Sequence, residues 1–171
     1  MNLDDLPPAE LMWEGKFVRA MKRGKWEFAS RARDIRAVVI LAEHDGKLIL
    51  VSQPRAAPDC YCVELPAGLV GDHDPGATIE ATAIKELEEE TGFTADRVER
   101  LGDFYSSPGM LAEAFTLVRV HGVRRIGEGG GDDSEDIEVH LVARSDIPNF
   151  LEQKRAEGFG IDAKLLLLLN T

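Results

Sequence analysis

Residues 63–93 read VELPAGLVGDHDPGATIEATAIKELEEETGF, and this stretch decides the fold. It opens with a strand-like run that Pro66-Ala67-Gly68 closes. It ends in a helix predicted from about Pro75 to Thr91, with Pro75 at a first helical position and Gly92 just past the helix end. Within the predicted helix one apolar stripe faces a core, made of Ala83, Ile84 and Leu87.

The same helix is crowded with carboxylates. Side chains three and four apart are neighbours, so Glu86 faces both Glu89 and Glu90, and each like-charge pair costs about 0.2–0.5 kcal/mol. These three side chains fall on one flank of the apolar stripe, whereas Glu88 lies on the far side. A hard cation such as Mg²⁺ prefers oxygen ligands and would turn the repulsion into attraction. The ordinary alternative is a solvated acidic face, with Lys85 pairing with Glu89.

Composition narrows the classes of function. The chain has 171 residues, which suits one domain, and 20 basic against 31 acidic residues give a net charge of −11. That charge argues against a nucleic-acid partner, because phosphate contacts need clustered Lys and Arg.

The apolar run Leu165 to Leu169 is far shorter than the about 20 apolar residues of a membrane span. Cys60 and Cys62 lie on one side of a strand, a poor geometry for a disulfide, so reduced thiols and a cytoplasmic location are expected.

The rest of the chain reads mainly as strands. Two short runs, Glu14 to Ala20 and Lys25 to Ser30, flank Lys22-Arg23-Gly24 and predict an N-terminal β-hairpin. Further strands are predicted at Ile35 to Ala42, Lys47 to Ser52, Cys60 to Leu65, Phe115 to Val120 and Ile137 to Ala143. A separate helix is predicted over Ile147 to Glu157, and another at the C-terminus. Hairpin-paired strands that outnumber helices predict an α+β sandwich, not a doubly wound parallel sheet.

The opening stretch resembles the Nudix hydrolase box, a glycine loop followed by a helix with Arg-Glu-(apolar)-x-Glu-Glu and then x-Gly-(apolar). The matching positions are Gly71, Lys85, Glu86, Leu87, Glu89, Glu90, Gly92 and Phe93. The resemblance implies an α/β/α sandwich with a mixed sheet over residues 35–171, preceded by an N-terminal segment, residues 1–34, that carries the hairpin. Two positions depart from the family pattern: Ala77 stands where a glutamate is usual, and Lys85 replaces an arginine and loses its planar fork.

The resemblance also implies a metal site. Glu86 and Glu90 would hold Mg²⁺, with Mn²⁺ possible, Glu89 would assist, and the carbonyl of Ala67 would add a ligand. The acidic, glycine-rich stretch Gly127 to Asp136 is expected to be a mobile loop that closes over the site and delivers a carboxylate. Glu135 is the first candidate as metal ligand or base, and Asp133 the second; a merely solvated loop is the alternative.

Beyond the box, the chain resembles the ADP-ribose pyrophosphatase branch of the family. The matching pieces are Trp26-Glu27, Ser52-Gln53-Pro54-Arg55, Glu64-Leu65-Pro66-Ala67-Gly68, Tyr105-Ser106-Ser107-Pro108-Gly109-Met110 and Glu135-Asp136-Ile137-Glu138. In that branch the N-terminal hairpin is exchanged between two subunits, which implies a homodimer with Trp26 stacking on the base. A packed core tryptophan is the alternative for Trp26.

The remaining substrate contacts also follow from the resemblance. Arg55 would grip the diphosphate, with a surface salt bridge as the alternative. The other residues assigned to the substrate are Glu64, Pro108, Gly109 and Glu113. Turn chemistry explains Pro108-Gly109 almost as well.

These residues together predict a homodimeric, Mg²⁺-dependent hydrolase of ADP-ribose or a related nucleoside diphosphate sugar. Ala77 and Lys85 leave open a binding or regulatory protein that keeps the fold without catalysis. A third hypothesis, an enzyme of capped or triphosphorylated RNA, is disfavoured by the acidic charge.

Overall fold

The computed structural model describes residues 2–33, 35–72, 74, 76–131 and 135–170, the last four through their backbone alone. The strands in chain order are β1 (Glu10–Glu14), β2 (Val18–Arg23), β3 (Trp26–Arg31), β4 (Ala37–Leu41), β5 (Glu43–His44), β6 (Lys47–Arg55), β7 (Cys60–Glu64), β8 (Ala67–Leu69), β9 (Phe93–Thr94), β10 (Arg97–Tyr105), β11 (Ala114–His121), β12 (Arg124–Arg125), β13 (Glu138–Ala143) and β14 (Gly160–Ile161). The α-helices are α1 (Ile79–Thr91) and α2 (Ile147–Ala156), and short 3₁₀ helices cover Leu3–Asp5, Arg144–Asp146 and Ala163–Asn170.

Two central sheets carry the fold. The first has the spatial order β10-β11-β4-β8 and is mixed, because β4 and β11 run parallel while their outer neighbours are antiparallel. The second has the order β13-β6-β7-β14, with β5 paired to β6. The predicted α+β class with a mixed sheet is confirmed.

Strand β4 separates two hydrophobic clusters, because successive side chains of a strand point to opposite faces. Val39 and Leu41 join the cluster that includes Leu50, Val63 and Phe115 and packs against α2. Val38 and Ile40 join the second cluster together with Ala83 and Leu87 of α1. Ile84 packs on the second cluster but is only partly buried. Burial on both faces explains why β4 reads as a continuous apolar run.

The N-terminal segment forms a three-stranded antiparallel sheet, β1-β2-β3, instead of a simple hairpin. The predicted strand Glu14 to Ala20 is wrong, since β1 ends at Glu14 and β2 begins at Val18. This sheet joins the rest of the chain at Ala29, whose N–H donates to Met110 O at 2.9 Å and whose carbonyl accepts from Ala112 N at 2.8 Å.

Three other elements differ from the sequence-based expectations. Helix α1 begins at Ile79, not near Pro75. The helix is capped by Thr78, whose Oγ1 accepts a hydrogen bond of 3.2 Å from Ala81 N. Pro75 itself lies outside the described residues. The C-terminal helix is 3₁₀, since Leu165 N donates to Asp162 O three residues earlier. Strand β10 was missed because it is an edge strand, half-exposed and without an apolar alternation. None of the described helices is long and apolar enough to cross a membrane.

Candidate active site

Helix α1 aims its acidic flank into a cleft of about 680 Å³ that reaches across both central sheets. The cleft brings together most of the predicted site residues: Arg55, Glu64, Ala67, Glu86, Glu89, Glu90, Glu113 and Glu135. The helix is held in place by its buried Ala83 and Leu87, which turn the neighbouring flank toward the cleft.

Glu90 is the most deeply buried carboxylate of α1, with 4% of its surface exposed. Its Oε2 accepts a hydrogen bond of 3.1 Å from the backbone N–H of Ala67. Burial away from water, reinforced by the charges of Glu86 and Glu135, raises the pKa of Glu90 to about 8, although the Ala67 N–H and Arg55 act in the opposite direction. Without a cation, Glu90 therefore holds a proton at neutral pH.

Glu86 lies one turn before Glu90 and borders the same cleft. Its carboxylate lies directly against Gly68 of β8, where a Cβ would overlap it. The small residue after Ala67 thus leaves the space that the Glu86 carboxylate occupies. The two predicted metal ligands on α1 both face β8.

Glu89 has a different environment from its neighbours. It forms an ion pair with Lys85 four residues earlier, and both side chains are about half exposed. The hydrogen bond to Glu89 is the main cause of the raised pKa of Lys85, and Glu86 and Glu135 add to it. The crowding of the helix is thus relieved in two ways, by this pair and by the proton on Glu90.

Arg55 and Glu64 form a bidentate pair on the opposite wall. Arg55 Nε and Nη2 donate to Glu64 Oε1 and Oε2, both at 2.7 Å. Glu64 is buried and the Arg55 side chain is 44% exposed, so the carboxylate fixes the guanidinium while its remaining N–H groups can reach a ligand. The hydrogen bonds raise the pKa of Arg55 further.

The far end of the cleft holds Glu113, which accepts from Arg31 Nε at 2.7 Å and from Ser106 Oγ at 3.5 Å. Pro108 and Gly109 do not border the cleft, and they lie in an exposed turn in which Met110 N donates to Ser107 O at 2.9 Å.

Trp26 opens β3 and does not border the cleft of its own chain. It is 47% exposed, so the alternative of a packed core tryptophan does not hold within one chain.

Part of the glycine-rich stretch that was predicted to close over the site is described, and its mobility stays a prediction. Its first part is bonded to the end of α1: Gly130 N donates to Glu90 O at 2.8 Å and Gly131 N to Glu89 O at 3.0 Å. Glu135 borders the cleft, and its charge contributes to the raised pKa of Glu90 after the dominant effect of burial. Asp133, the second candidate base, lies outside the described residues.

The donors around α1 suit a hard cation in chemistry, since Glu86, Glu90 and Glu135 offer carboxylate oxygens to one cleft. In the side-chain arrangement of the described residues, no three acidic, histidine or cysteine groups converge on one point. Binding of a cation through Glu90 requires this carboxylate to lose its proton.

The profile of the NUDIX domain matches residues 32–162 of this chain. The chain belongs to the Nudix family. Proteins of similar sequence include the ADP-ribose pyrophosphatase of Bacillus subtilis, 36% identical over 120 residues that make up 69% of this chain and 63% of that protein. The GDP-mannose pyrophosphatase of Cronobacter sakazakii is 35% identical over 143 residues, 78% of this chain and 71% of that protein. The match thus spans less than two thirds of the Bacillus relative.

A solved structure described as an ADP compounds hydrolase shares this Nudix fold. It superposes with a TM-score of 0.67 at 21% identity and covers 86% of this chain and 82% of that chain. At this identity the likeness concerns the fold alone. It agrees with the mixed sheet and few helices described above.

Two cations of this Nudix cleft were not found by sequence reasoning, Arg31 and Lys164. Arg31 closes β3, and Lys164 forms an ion pair with Asp162 while its Nζ lies 5.9 Å from the centre of the Phe115 ring. Both come from segments far from the Nudix box, and no local motif singles them out. Only the fold brings them to the carboxylates.

The two thiols agree with the sequence-based expectation. Cys60 and Cys62 are free, with their sulfurs 3.9 Å apart on β7. Burial is the main cause that raises the pKa of Cys62 to about 11, so this thiol stays protonated at neutral pH.

Proposed function

We propose that this protein hydrolyses the diphosphate linkage of ADP-ribose or a related nucleoside diphosphate sugar. The observation that carries the proposal is that one cleft is lined both by the carboxylates of Glu86, Glu90 and Glu135 and by the cations Arg31 and Arg55. A diphosphate needs both, since cations bind its oxygens and carboxylates hold metal and accept a proton. The names of the Bacillus subtilis and Cronobacter sakazakii relatives support this substrate class.

The metal site consists of Glu86 and Glu90, with the carbonyl of Ala67 as a further ligand and Glu135 as the alternative ligand to its role as base. These oxygen donors suit Mg²⁺ or Mn²⁺. When bound, the cation neutralises charge on the phosphoryl oxygens and lowers the pKa of bound water.

The protein groups perform the remaining tasks. Arg55, fixed by Glu64, holds the diphosphate in one orientation. Water forms a new bond to one phosphorus while the bond from that phosphorus to the bridging oxygen breaks, and the water proton passes to a carboxylate. Glu135 is assigned the role of base, and Asp133 is the second candidate for it. Glu89, which forms an ion pair with Lys85, assists the reaction. The products are a nucleoside monophosphate and a sugar phosphate.

The assembly belongs to the same proposal. Several large apolar side chains of the N-terminal segment are exposed in one chain: Leu11, Met12, Trp13, Phe17, Val18 and Trp26. Exposed apolar area of this extent is typical of an interaction surface. A homodimer that exchanges this segment covers it and brings Trp26 to the base in the partner's cleft. In this dimer, Pro108 and Gly109 of the exposed turn approach the substrate. The cytoplasmic location of the protein stays a prediction.

One experiment tests the reaction. The protein is incubated with Mg²⁺ and, separately, ADP-ribose and GDP-mannose, and the products are identified by chromatography and phosphorus NMR. We expect a nucleoside monophosphate and a sugar phosphate, no product after addition of EDTA, and none from the Glu90→Gln variant. A fully active Glu90→Gln variant refutes the metal assignment.

A second candidate function rests on the carboxylates themselves. Because no three of the described ligand groups converge, and because Lys85 and Ala77 depart from the family pattern, a nucleotide-binding regulatory protein is the alternative. Calorimetry distinguishes the two candidates. Saturable binding of ADP-ribose without any product over the whole panel supports the regulatory protein.

A further inference from the structure

Residues 126–131, which precede Glu135 in the chain, make four backbone hydrogen bonds to the end of α1, two to helix residues and two to the cap residue Gly92. Ile126 N and Gly127 N donate to Gly92 O at 2.8 and 3.0 Å. Gly130 N and Gly131 N donate to the carbonyls of Glu90 and Glu89. The stretch thereby satisfies carbonyls at the C-terminal end of the helix, which a helix leaves without intrahelical partners. We call residues 126–131 the glycine clamp.

Close contacts require glycine at two positions of the clamp, Gly129 and Gly131. At Gly129, which has a φ of 74°, a Cβ would overlap the backbone of Thr91 and Gly92. At Gly131 a Cβ would overlap Oε2 of Glu135, so the carboxylate of Glu135 lies directly against this glycine. A larger residue at either position therefore displaces the clamp or the carboxylate.

The other side of Glu135 is attached to β7. Tyr61 Oη donates a hydrogen bond of 2.6 Å to Asp136 Oδ2, and the next residue, Ile137, is buried. The ring of Tyr61 also lies 5.7 Å from that of Phe159, which holds the tyrosine in place. Glu135 therefore stands between two attachments, one to α1 and one to β7.

We propose that Gly129 and Tyr61 are positioning residues that hold the Glu135 carboxylate at the cleft for the hydrolysis. This inference rests on the proposed function. The tyrosine acts through Asp136 and the glycine through its backbone, so neither needs to touch the substrate.

The first test compares Gly129→Ala with Gly46→Ala. Gly46 has a nearly identical φ of 73°, but a Cβ there meets nothing within 4 Å, so both variants carry the backbone strain and only the first carries the clash. We expect the Gly129→Ala variant to lose kcat by about 10²-fold with little change in KM, the effect of a displaced reactive group. We expect Gly46→Ala to retain wild-type kcat. Hydrogen exchange of the 126–131 amides in the metal-free protein should accelerate in the Gly129→Ala variant alone.

The second test uses Tyr61→Phe, which removes only the hydroxyl from a partly exposed ring and therefore leaves the fold intact. We expect kcat to fall by about 10-fold, as for a residue that supports a reacting carboxylate. In a Glu135→Gln background the same change should have no further effect, since residues that act as one unit are not additive. A merely structural role predicts additive losses in this cycle.

The outcomes separate the two proposals. A wild-type protein that hydrolyses no compound of the panel overturns the proposed function and this inference with it. An active wild type whose Gly129→Ala and Tyr61→Phe variants keep full kcat, or whose losses add to that of Glu135→Gln, overturns the inference alone.

Discussion

Glu90 shows how a single residue can be costly for the fold and useful for chemistry. Its carboxylate is buried, receives one backbone hydrogen bond and lies near two other acidic groups. Burial of a charge without a counter-ion is unfavourable, so the metal-free protein keeps the proton. In the proposed function, a cation takes the place of this proton.

The pH dependence of stability tests this account. The pKa of Glu90 is raised from 4.5 to about 8 in the folded protein, so the folded state binds a proton that the unfolded state releases. The stability that this group contributes is therefore complete below pH 4.5 and is lost as the pH rises through 8. We expect Glu90→Gln to be more stable than wild type by about 1–3 kcal/mol at pH 9, and close to wild type at pH 4.5. Urea unfolding in EDTA at the two pH values measures the difference. An equal effect at both contradicts the assignment.

Arg55 gives a second prediction, because its fork is fixed by two hydrogen bonds to Glu64. Lysine keeps the charge but cannot make the bidentate pair, so Arg55→Lys should raise KM for ADP-ribose by about 10-fold with a smaller change in kcat. Steady-state kinetics on the purified variants measures both constants. The matched control is Arg36→Lys, at an exposed arginine with one hydrogen bond to Asp103 outside the cleft. Equal kinetics for the two variants would remove Arg55 from the substrate site.

Helix α1 is the element that unites the site, and both of its ends are secured. Thr78 caps the first turn, while Gly92 adopts a left-handed φ of 73° and donates to Glu88 O at 3.0 Å. Between them, Ala83 and Leu87 pack on the core. The orientation of the carboxylates is thus set by caps and packing, not by the carboxylates themselves.

The cap of α1 can be tested separately from catalysis. Thr78→Ala removes the oxygen that accepts from Ala81 N and should destabilise the protein by about 1 kcal/mol. Thr78→Ser keeps that oxygen and serves as the control, with stability near wild type. Thermal and urea unfolding measure both variants. If the alanine variant is as stable as the serine variant, the hydroxyl does not cap the helix in solution.

The whole molecule collects charges from distant parts of the chain into one cleft. Arg31 comes from the N-terminal sheet, Arg55 from β6 and Lys164 from the C-terminal 3₁₀ helix. Each of these cations is paired with a carboxylate, Arg31 with Glu113, Arg55 with Glu64 and Lys164 with Asp162. In the proposed function they are the groups of this acidic chain that meet the anionic substrate. In the proposed dimer a further group, Trp26, enters from the second subunit.

Mixed dimers test whether Trp26 acts across the interface. Trp26→Ala and Glu90→Gln proteins, whose separate activities are measured first, are mixed under conditions that exchange subunits. If each site combines Glu90 of one chain with Trp26 of the other, the hybrid contains one complete site, and activity should rise above the sum of the two variants. Sedimentation equilibrium establishes the dimer independently. No gain on mixing, with subunit exchange demonstrated, contradicts the cross-subunit role.

Local chemistry was enough to predict the central features of the protein. Residues 63–93 carry the end of strand β7, the apolar stripe of α1 and the three carboxylates of its flank, and all of these depend on neighbours within a few positions. The predicted closing turn at Pro66-Ala67-Gly68 is wrong, because Ala67–Leu69 forms β8 by pairing with the distant strand β4. The Lys85–Glu89 pair is likewise a matter of helical spacing. Edge strand β10 was missed because half-exposed strands carry little apolar periodicity.

The tertiary structure alone decided the rest of the site. Glu90 is buried by elements that are distant from it in the chain. Arg31 and Lys164 reach the cleft from opposite ends of the sequence. The glycine clamp is likewise attached to α1 from about forty residues further along the chain. Helical or strand periodicity describes only which side of an element a residue occupies. The desolvation of a side chain and its long-range contacts depend on which other elements pack against that side. These neighbours are determined only when the two sheets and the helices pack together.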